Sequence, residues 1–165
     1  MHTCILIIGA GATGTALARD LSLRGIKCHL VEEKDLAAGA SGGNHGLLHS
    51  GARYAGNDQT SARECSQESK LLKQLAPHCI EDTGSLFVGL KGDNEDYMAS
   101  FPDYCAACGI EAQPLTPAQA RNLEPSLSSD VIAAYSLPDA CLDPFRFCLD
   151  NLAQAKKLGC QYLPG

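Results

Sequence analysis

The sequence lacks several features that would assign it to a class at once. No apolar run approaches the length of a membrane span, and Met1-His2-Thr3 lacks the charged segment that begins a signal peptide. We therefore predict no transmembrane segment, so that any membrane attachment would come through a partner. No basic stripe occurs either. The sequence has 13 Lys and Arg residues and 19 Asp and Glu residues, which gives a net charge of −6. This balance argues against nucleic acid as a partner.

A disulfide framework is also missing. The nine cysteines are odd in number and scattered, and Cys4 and Cys28 lie in predicted buried strands, where a thiol behaves as a small apolar side chain. This usage indicates a reducing compartment. No second CxxC accompanies Cys105-Ala-Ala-Cys108, so a four-thiolate zinc site is not encoded. We interpret these two thiols as packing residues on one face of a helix, with a redox or metal role as the alternative.

What the sequence does contain is a strand–helix–strand pattern at its start. Cys4–Ile8 is a continuous apolar run, which is typical of a strand buried in a parallel sheet. Leu17 and Leu21 then follow helical spacing up to Gly25, and residues 27–32 are rich in strand-forming side chains. This order within about 30 residues predicts a βαβ unit.

A GxGxxG sequence, Gly9-Ala10-Gly11-Ala12-Thr13-Gly14, joins the first strand to the helix. Its glycines allow a tight turn, close approach of a pyrophosphate to the backbone, and close packing of the helix on the sheet. The helix N-terminus supplies unpaired N–H groups for phosphates. Glu32 follows Gly14 by 18 residues, at the end of the second strand, where a carboxylate binds ribose hydroxyls. These features predict a dinucleotide site, and they leave open whether the dinucleotide is FAD or NAD.

The rest of the chain alternates loops, strands and helices. Residues 36–58 are Gly-rich and irregular, and a loop of that length is usually functional. Ser61 and Glu64 form a predicted capping box for a helix that runs to residue 76. The further predicted elements are a strand over 83–90, a helix over 95–108, a capped helix from Thr116, a strand over 130–136 and a helix from Asp143. A strand pattern begins just before Gly165, so we expect the chain to be part of a longer protein.

The most informative stretch is Gly39–Ala55, GASGGNHGLLHSGARYA. It resembles the flavin loop of the FAD-dependent glycerol-3-phosphate dehydrogenases, within the D-amino-acid-oxidase-like family. Ala18–Leu21, Ser61–Cys65 and Leu137–Arg146 are similar to other parts of the same family. The resemblance is closest to the A subunit of the anaerobic, three-subunit members. It extends over nearly all of this chain and over only the first part of that longer polypeptide.

This resemblance implies FAD as the cofactor and a role for each matched position. The pyrophosphate would contact Gly9, Gly11, Ala12, Thr13 and Gly14, and Glu32 would bind the adenosine ribose. The ribityl chain and the isoalloxazine would contact Ser41, Gly42, Asn44, His45, Gly46 and Leu47. His49 would lie close to the flavin, whereas Arg53 and Tyr54 match positions that contact substrate. His49 is the candidate catalytic base in this chain, and the alternative is a base that lies beyond residue 165. The fork of an Arg side chain and the hydroxyl of a Tyr both suit a phosphate.

Simpler roles remain as alternatives for some of these side chains. Arg53 would otherwise form a surface salt bridge, Tyr54 would pack in a core, and His45 and His49 would be hydrogen-bonded loop residues. A metal site on the two histidines is not predicted, because the Gly-rich segment is not helical and offers no third ligand.

The fold class that follows is α/β, with a Rossmann-like FAD-binding βαβ domain and the start of a mixed α+β substrate domain. The FAD-binding domain would occupy residues 1–75 and return at 144–165, and the substrate domain would begin within 76–143. We expect the isolated chain to bind FAD poorly and to be inactive, because the later strands of both domains would lie beyond it.

The reaction implied by the resemblance is FAD-dependent oxidation of sn-glycerol 3-phosphate to dihydroxyacetone phosphate. Electrons would pass through partner subunits to membrane quinone, and the protein would be cytoplasmic and peripheral to the inner membrane through those subunits. The alternatives are another FAD-dependent oxidoreductase acting on a 2-hydroxy acid or an amino acid, an NAD-dependent enzyme, and a non-catalytic cofactor-binding chain.

Overall fold

The computed structural model describes residues 5–165, so Cys4, which the sequence places in the first strand, lies outside the described residues. Strands and helices alternate along the chain. In order they are β1 (Ile5–Ile8), α1 (Ala12–Leu23), β2 (Cys28–Glu32), β3 (Leu47–Leu48), a 3₁₀ turn (Ala52–Tyr54), α2 (Gln59–Leu75), a 3₁₀ turn (Pro77–Cys79), β4 (Ile80–Glu81), β5 (Ser85–Leu90), α3 (Glu95–Ala107), β6 (Gln113–Leu115), α4 (Pro117–Leu123), β7 (Val131–Leu137), β8 (Ala140–Leu142), α5 (Pro144–Lys157) and β9 (Gln161–Pro164). Over residues 5–165, no helix is both long enough and apolar enough to cross a membrane.

The described chain divides into two compact units. The first comprises the described residues up to Gly46 together with Leu142–Gly165, and the second is Leu47–Cys141. From the sequence, the domain boundaries were expected at residues 75 and 143. In the structure, the first unit is interrupted earlier, after Gly46. Residues 47–75 join the second unit because β3 pairs with β8 and α2 packs against the 3₁₀ turn before it. The assignment of FAD to one domain and substrate to the other stays a prediction.

The first unit is a parallel sheet of three strands in the order β1–β2–β9. Helix α1 connects β1 to β2, while α5 packs along α1 and leads into β9. Between sheet and helices lies a core of small and aliphatic side chains, namely Ile7, Ala10, Ala18, Cys28, Leu30, Leu152, Ala155 and Cys160. The predicted βαβ unit is confirmed, and Cys28 is buried as expected.

The second unit combines two antiparallel arrangements with helices. Its larger sheet has the order β5–β7–β6, and a short sheet has the order β3–β8–β4. Phe101 of α3 is fully buried and stacks on Phe87 of β5, with ring centroids 4.1 Å apart. The Tyr135 hydroxyl of β7 donates to the Met98 carbonyl of α3 at 2.5 Å. This packing of helix on antiparallel sheet confirms the predicted α+β character.

Two helix starts show how local chemistry decides a boundary. Thr116 and Gln119 form the predicted reciprocal capping box of α4. The capping box predicted from Ser61 and Glu64 is wrong, because α2 begins two residues earlier at Gln59. Its cap is Asp58, whose carboxylate accepts the Ser61 N–H at 3.1 Å and the Ser61 hydroxyl at 2.6 Å.

The CxxC pair lies at the C-terminal end of α3. Cys105 and Cys108 are both buried and are free thiols. Burial, and to a smaller extent the neighbouring Cys108, raises the pKa of Cys105 to about 11. The Cys105 thiol therefore stays protonated at neutral pH, which favours the packing role over a redox or metal role.

Gly14 sets the distance between α1 and the end of β1. It is buried, and a Cβ added to it would overlap the carbonyl oxygen of Gly9 and lie 3.5 Å from a methyl group of Ile7. Backbone atoms cannot move aside as a flexible side chain can. The close seating of α1 on the sheet thus requires a residue without a side chain at this position.

We predict that Gly14→Ala destabilises the chain by about 1–3 kcal/mol, the usual cost of overpacking a close contact. Unfolding in urea, followed by circular dichroism, would measure the shift in midpoint. Gly39→Ala is the matched control, because it lies in the same unit and an added Cβ there meets no atom within 4 Å. Equal midpoints for the two variants would contradict the close packing described for Gly14.

Candidate functional site

The glycine loop connects the end of β1 to the first turn of α1. Gly9 has a φ angle of +101°, in the left-handed region that favours glycine, and its N–H donates to the Val31 carbonyl at 2.8 Å. Gly11 is extended and caps α1 without a side-chain hydrogen bond. Thr13 is exposed at the first turn of the helix. The N-terminus of α1 therefore lies at the end of β1, which is where a pyrophosphate binds in dinucleotide-binding folds.

Glu32 reaches the same loop from the neighbouring strand. The register pairs Ile8 with Val31, so the residues that follow them lie side by side at the carboxyl edge of the sheet. The Glu32 carboxylate accepts the N–H of Ala10 at 2.7 Å and that of Lys34 at 3.0 Å. The bond from Ala10, followed by that from Lys34, lowers the pKa of Glu32. A carboxylate has about four acceptor positions, so Glu32 retains capacity for ribose hydroxyls.

The Gly-rich segment after β2 returns to the start of α1. Ser41 Oγ accepts the N–H of Ala12 at 2.9 Å, across 29 residues of sequence. Asn44 stabilises the turn itself, since its amide group donates to the Ser41 carbonyl and its side-chain oxygen accepts the Gly46 N–H at 2.6 Å. The structure thus brings predicted cofactor residues from two separate segments, Ala12 and Ser41, into contact.

The remaining residues of this segment divide into packed and exposed positions. A Cβ on Gly42 would overlap the Ala37 carbonyl and approach the Phe145 ring to 2.7 Å. Gly46 has a φ angle of +72°, and an added Cβ would lie 3.1 Å from the Leu142 carbonyl oxygen. His45 is exposed. Both glycines therefore have a packing reason that is independent of any cofactor.

In the second unit, His49 follows directly after β3. Strand β3 pairs antiparallel with β8, with Leu47 opposite Cys141 and Leu48 opposite Ala140. Continuing the same register sets His49 opposite Asp139, in the turn before β8. The His49 Nδ1 atom lies 3.8 Å from the Asp139 Oδ2 atom. Its side chain is 37% exposed, whereas that of Asp139 is 6% exposed.

Asp139 is held by two further groups. Its Oδ1 atom accepts the Ser50 N–H at 2.6 Å, and its Oδ2 atom accepts the Ser85 hydroxyl at 2.7 Å. The sequence assigned no role to Asp139, although it lies within a segment that resembles the family. The only sequence signal near it is its position shortly after the predicted strand over 130–136.

Arg53 and Tyr54 lie on the 3₁₀ turn that precedes α2. Ala52 and Ala55 on either side are buried and anchor this turn, while both predicted substrate residues are exposed. Tyr54 is 44% exposed, so it does not pack in the core of its unit. Within residues 5–165, Arg53 forms no salt bridge. Neither of the simpler roles considered for these two residues is therefore seen in the second unit.

The parallel βαβ unit, the glycine loop at a helix N-terminus and the acidic strand end together define a dinucleotide-binding protein. The profile of the DAO family, described as FAD dependent oxidoreductase, matches residues 4–165, and the chain belongs to this family. The resemblance found in the sequence is confirmed at this level. FAD, rather than NAD, is the cofactor of the family.

Curated relatives are similar over almost the whole chain. The A subunit of the anaerobic glycerol-3-phosphate dehydrogenase of Haemophilus influenzae is 48% identical over 159 residues, which is 96% of this chain and 28% of that protein. The corresponding A1 subunit of Haloferax volcanii is 46% identical over 155 residues, or 94% of this chain and 26% of that protein. The chain thus spans less than a third of the length of these relatives.

Solved structures share the fold at low sequence identity. The L-proline dehydrogenase of P. horikoshii has a TM-score of 0.84 and 24% identity, over 98% of this chain and 44% of its own. The L-alpha-glycerophosphate oxidase of Mycoplasma pneumoniae, solved with FAD bound, has a TM-score of 0.77 and 20% identity, over 98% and 45% of the two chains. These likenesses confirm the fold class, whereas the roles of individual site residues stay predictions.

The hydrogen bonds to Glu32 predict how stability depends on pH. Because the folded-state pKa of Glu32 lies below its ordinary value of 4.5, the ionised group stabilises the fold above that pH, and this stabilisation is lost as the pH falls through the folded value. We expect Glu32→Gln to be less stable than the unmodified chain at neutral pH, and the difference to shrink in acid.

Urea unfolding at a series of pH values measures this difference. Glu33→Gln is the control, because it removes an exposed neighbouring carboxylate without touching the bonds to Ala10 and Lys34. A stability difference for Glu32→Gln that stays constant down to acid pH would contradict the prediction.

Proposed function

We propose that this chain carries part of the active site of an FAD-dependent enzyme that oxidises sn-glycerol 3-phosphate to dihydroxyacetone phosphate. The observation that carries the proposal is the short segment 49–54, where a half-exposed imidazole beside a buried carboxylate is followed by an exposed Arg–Tyr pair. The relatives named as A subunits of the anaerobic glycerol-3-phosphate dehydrogenase support it through 46–48% identity.

Most of the residues that would bind the cofactor lie in the first unit. Gly9, Gly11, Ala12, Thr13 and Gly14 would bind the pyrophosphate, and Glu32 the adenosine ribose. The flavin end would contact Ser41, Gly42, Asn44, His45, Gly46 and Leu47. When bound, FAD supplies the acceptor for a hydride, and the protein supplies position and proton transfer.

His49 would act as the base. Oxidation of the alcohol breaks the O–H bond and the C–H bond at carbon 2 and forms the carbonyl. The hydroxyl proton would go to the imidazole of His49. FAD, when bound, would supply the acceptor for the hydrogen of carbon 2 and its electron pair. A neutral imidazole suits this task because its unprotonated ring nitrogen can accept a proton.

Arg53 and Tyr54 would bind the phosphate of the substrate. The planar guanidinium of Arg53 can donate two parallel hydrogen bonds to phosphate oxygens, and the Tyr54 hydroxyl can add a third. The exposure of both side chains, and the absence of a salt bridge to Arg53 among residues 5–165, leave the two donors available in this unit.

Partner subunits would take the electrons onward to quinone, and they would hold the protein, otherwise cytoplasmic, at the inner membrane. The names of the curated relatives as subunits of a larger enzyme support a multi-subunit assembly. The quinone, the membrane and the compartment are inferences from the resemblance alone.

Anaerobic reduction of FAD in the enzyme that contains this chain tests the proposed reaction. We expect sn-glycerol 3-phosphate to bleach the visible absorbance of the oxidised flavin, and L-proline, glycine and simple 2-hydroxy acids to leave it unchanged. Bleaching by one of these other compounds in place of sn-glycerol 3-phosphate would indicate a different activity of the family. Bound FAD that none of them bleaches would favour a non-catalytic chain.

The same preparation tests the electron route. Added quinone should reoxidise the reduced enzyme quickly when the partner subunits and membranes are present, and slowly when they are removed. Equal rates in the two cases would refute a route through partner subunits.

We predict that Arg53→Lys raises the KM for sn-glycerol 3-phosphate by about tenfold or more, because a lysine keeps the charge but loses the second parallel hydrogen bond. Steady-state kinetics with an artificial electron acceptor would measure the change. Arg63→Lys is the control, since Arg63 donates instead to the Ala107 carbonyl of its own unit. An unchanged KM in Arg53→Lys would remove Arg53 from the phosphate site.

A further inference from the structure

We propose that Asp139 is a positioning residue for His49, holding the imidazole with Nδ1 toward the carboxylate so that Nε2 faces the substrate hydroxyl. The proposal rests on the function proposed above, in which His49 is the base. It adds a residue, 90 positions further along the chain, to which no sequence pattern assigns a role.

The first observation is the strand register. Because β3 and β8 are antiparallel with Leu48 opposite Ala140, the next residue of one strand and the preceding residue of the other face each other. Directly opposed residues of such a pair have neighbouring side chains. The backbone pairing next to them therefore favours the contact between His49 and Asp139, which lie one residue beyond the paired strands.

The second observation is the anchoring of the carboxylate. Asp139 is buried, and each of its oxygens accepts a short hydrogen bond, one from the Ser50 N–H and one from the Ser85 hydroxyl. These bonds come from two different elements, so the carboxylate cannot easily rotate away from His49. The bond to Ser50 also fixes the backbone immediately after His49.

The distance indicates when the pair matters most. At 3.8 Å, the separation of His49 Nδ1 and Asp139 Oδ2 is within the range of an ion pair and longer than a hydrogen bond. A neutral imidazole gains little from such a contact, whereas the imidazolium formed by proton transfer gains a nearby opposite charge on a carboxylate that is itself buried. Asp139 would thus stabilise the protonated His49 and fix its ring orientation, as the carboxylate does in other Asp–His pairs.

The main test is Asp139→Asn in the complete enzyme with FAD bound. An Asn keeps the size but loses the charge, and its amide can donate to Nδ1 and so select the wrong tautomer. We expect kcat to fall by about 10–100-fold, less than the 10²–10⁴-fold contribution of general acid–base catalysis as a whole. The KM for sn-glycerol 3-phosphate should stay close to that of the unmodified enzyme, because Arg53 and Tyr54 are unchanged. Asp82→Asn, an exposed carboxylate of the same unit, is the control and should change neither parameter.

A double-mutant cycle with His49→Ala separates positioning from a merely structural role. If Asp139 acts through His49, Asp139→Asn lowers kcat only when His49 is present and has no further effect in His49→Ala. An equal fold-loss in both backgrounds would overturn the positioning role and leave His49 as the base. Full activity of His49→Ala would instead refute the proposed base, and with it the role of Asp139.

Ser85→Ala keeps the test valid if Asp139→Asn does not fold. This variant removes one hydrogen bond to Oδ2 and leaves both the carboxylate and the Ser50 bond in place. We expect a smaller fall in kcat than for Asp139→Asn, at unchanged KM, that disappears in the His49→Ala background. A fall that persists without His49 would contradict the proposal.

Discussion

Because β1 and β2 pair in parallel, both strands end at the same edge of the sheet. This arrangement lets the Ala10 N–H donate a hydrogen bond to the Glu32 carboxylate. That bond ties the glycine loop to the neighbouring strand, so the loop does not have to find its conformation alone. Helix α1 begins within the loop, and Ser41 binds its first turn at Ala12. The register and the bond to Ser41 together gather three segments that are distant in the sequence around the position where a dinucleotide phosphate would bind.

The second unit repeats this principle with an antiparallel register. Only two residue pairs join β3 to β8, yet they decide which side chain of the following turn meets His49. A shift by one residue would move His49 to the opposite face and break the contact with Asp139. The bond from the Ser50 N–H to the buried carboxylate opposes such a shift, because an unpaired buried carboxylate is costly. Stability and the geometry of the candidate base therefore depend on the same hydrogen bond.

Local patterns in the sequence were sufficient for the parts of the fold that local physics controls. The apolar run before Gly9, the helical spacing of Leu17 and Leu21, and the cap at Thr116 each act over a few residues, and the elements they predict are present. The short strands β3, β6 and β8 could not be predicted, because two or three residues carry no periodicity and form strands only by pairing with a distant partner. Even a local prediction failed where two polar residues competed, since Asp58 took the cap that Ser61 was expected to provide.

The residues of the candidate site also differ in whether local patterns or distant contacts bring them together. Gly9–Gly14 and Glu32 could be predicted because their spacing alone brings them together in a βαβ unit. The contact between Ala12 and Ser41 spans 29 residues of sequence, and that between Ser50 and Asp139 spans 89. A pattern within one short segment therefore predicts neither contact. For the same reason no sequence pattern predicts a role for Asp139, although it lies in a segment that resembles the family.

The fold that this chain shares with other proteins explains why cofactor binding and substrate selection would depend on different residues. Structures named for L-proline dehydrogenase and for L-alpha-glycerophosphate oxidase have the same fold, with TM-scores of 0.84 and 0.77, so the fold by itself does not select a substrate. The glycine loop and Glu32 are predicted to bind the phosphates and ribose of the cofactor, which is common to the family. Selection must therefore come from side chains outside that loop, and in the described chain the segment from His49 to Tyr54 combines a basic group, a guanidinium fork and a phenol on one short stretch. These three groups are the ones on which the proposed oxidation of a phosphate-bearing alcohol rests.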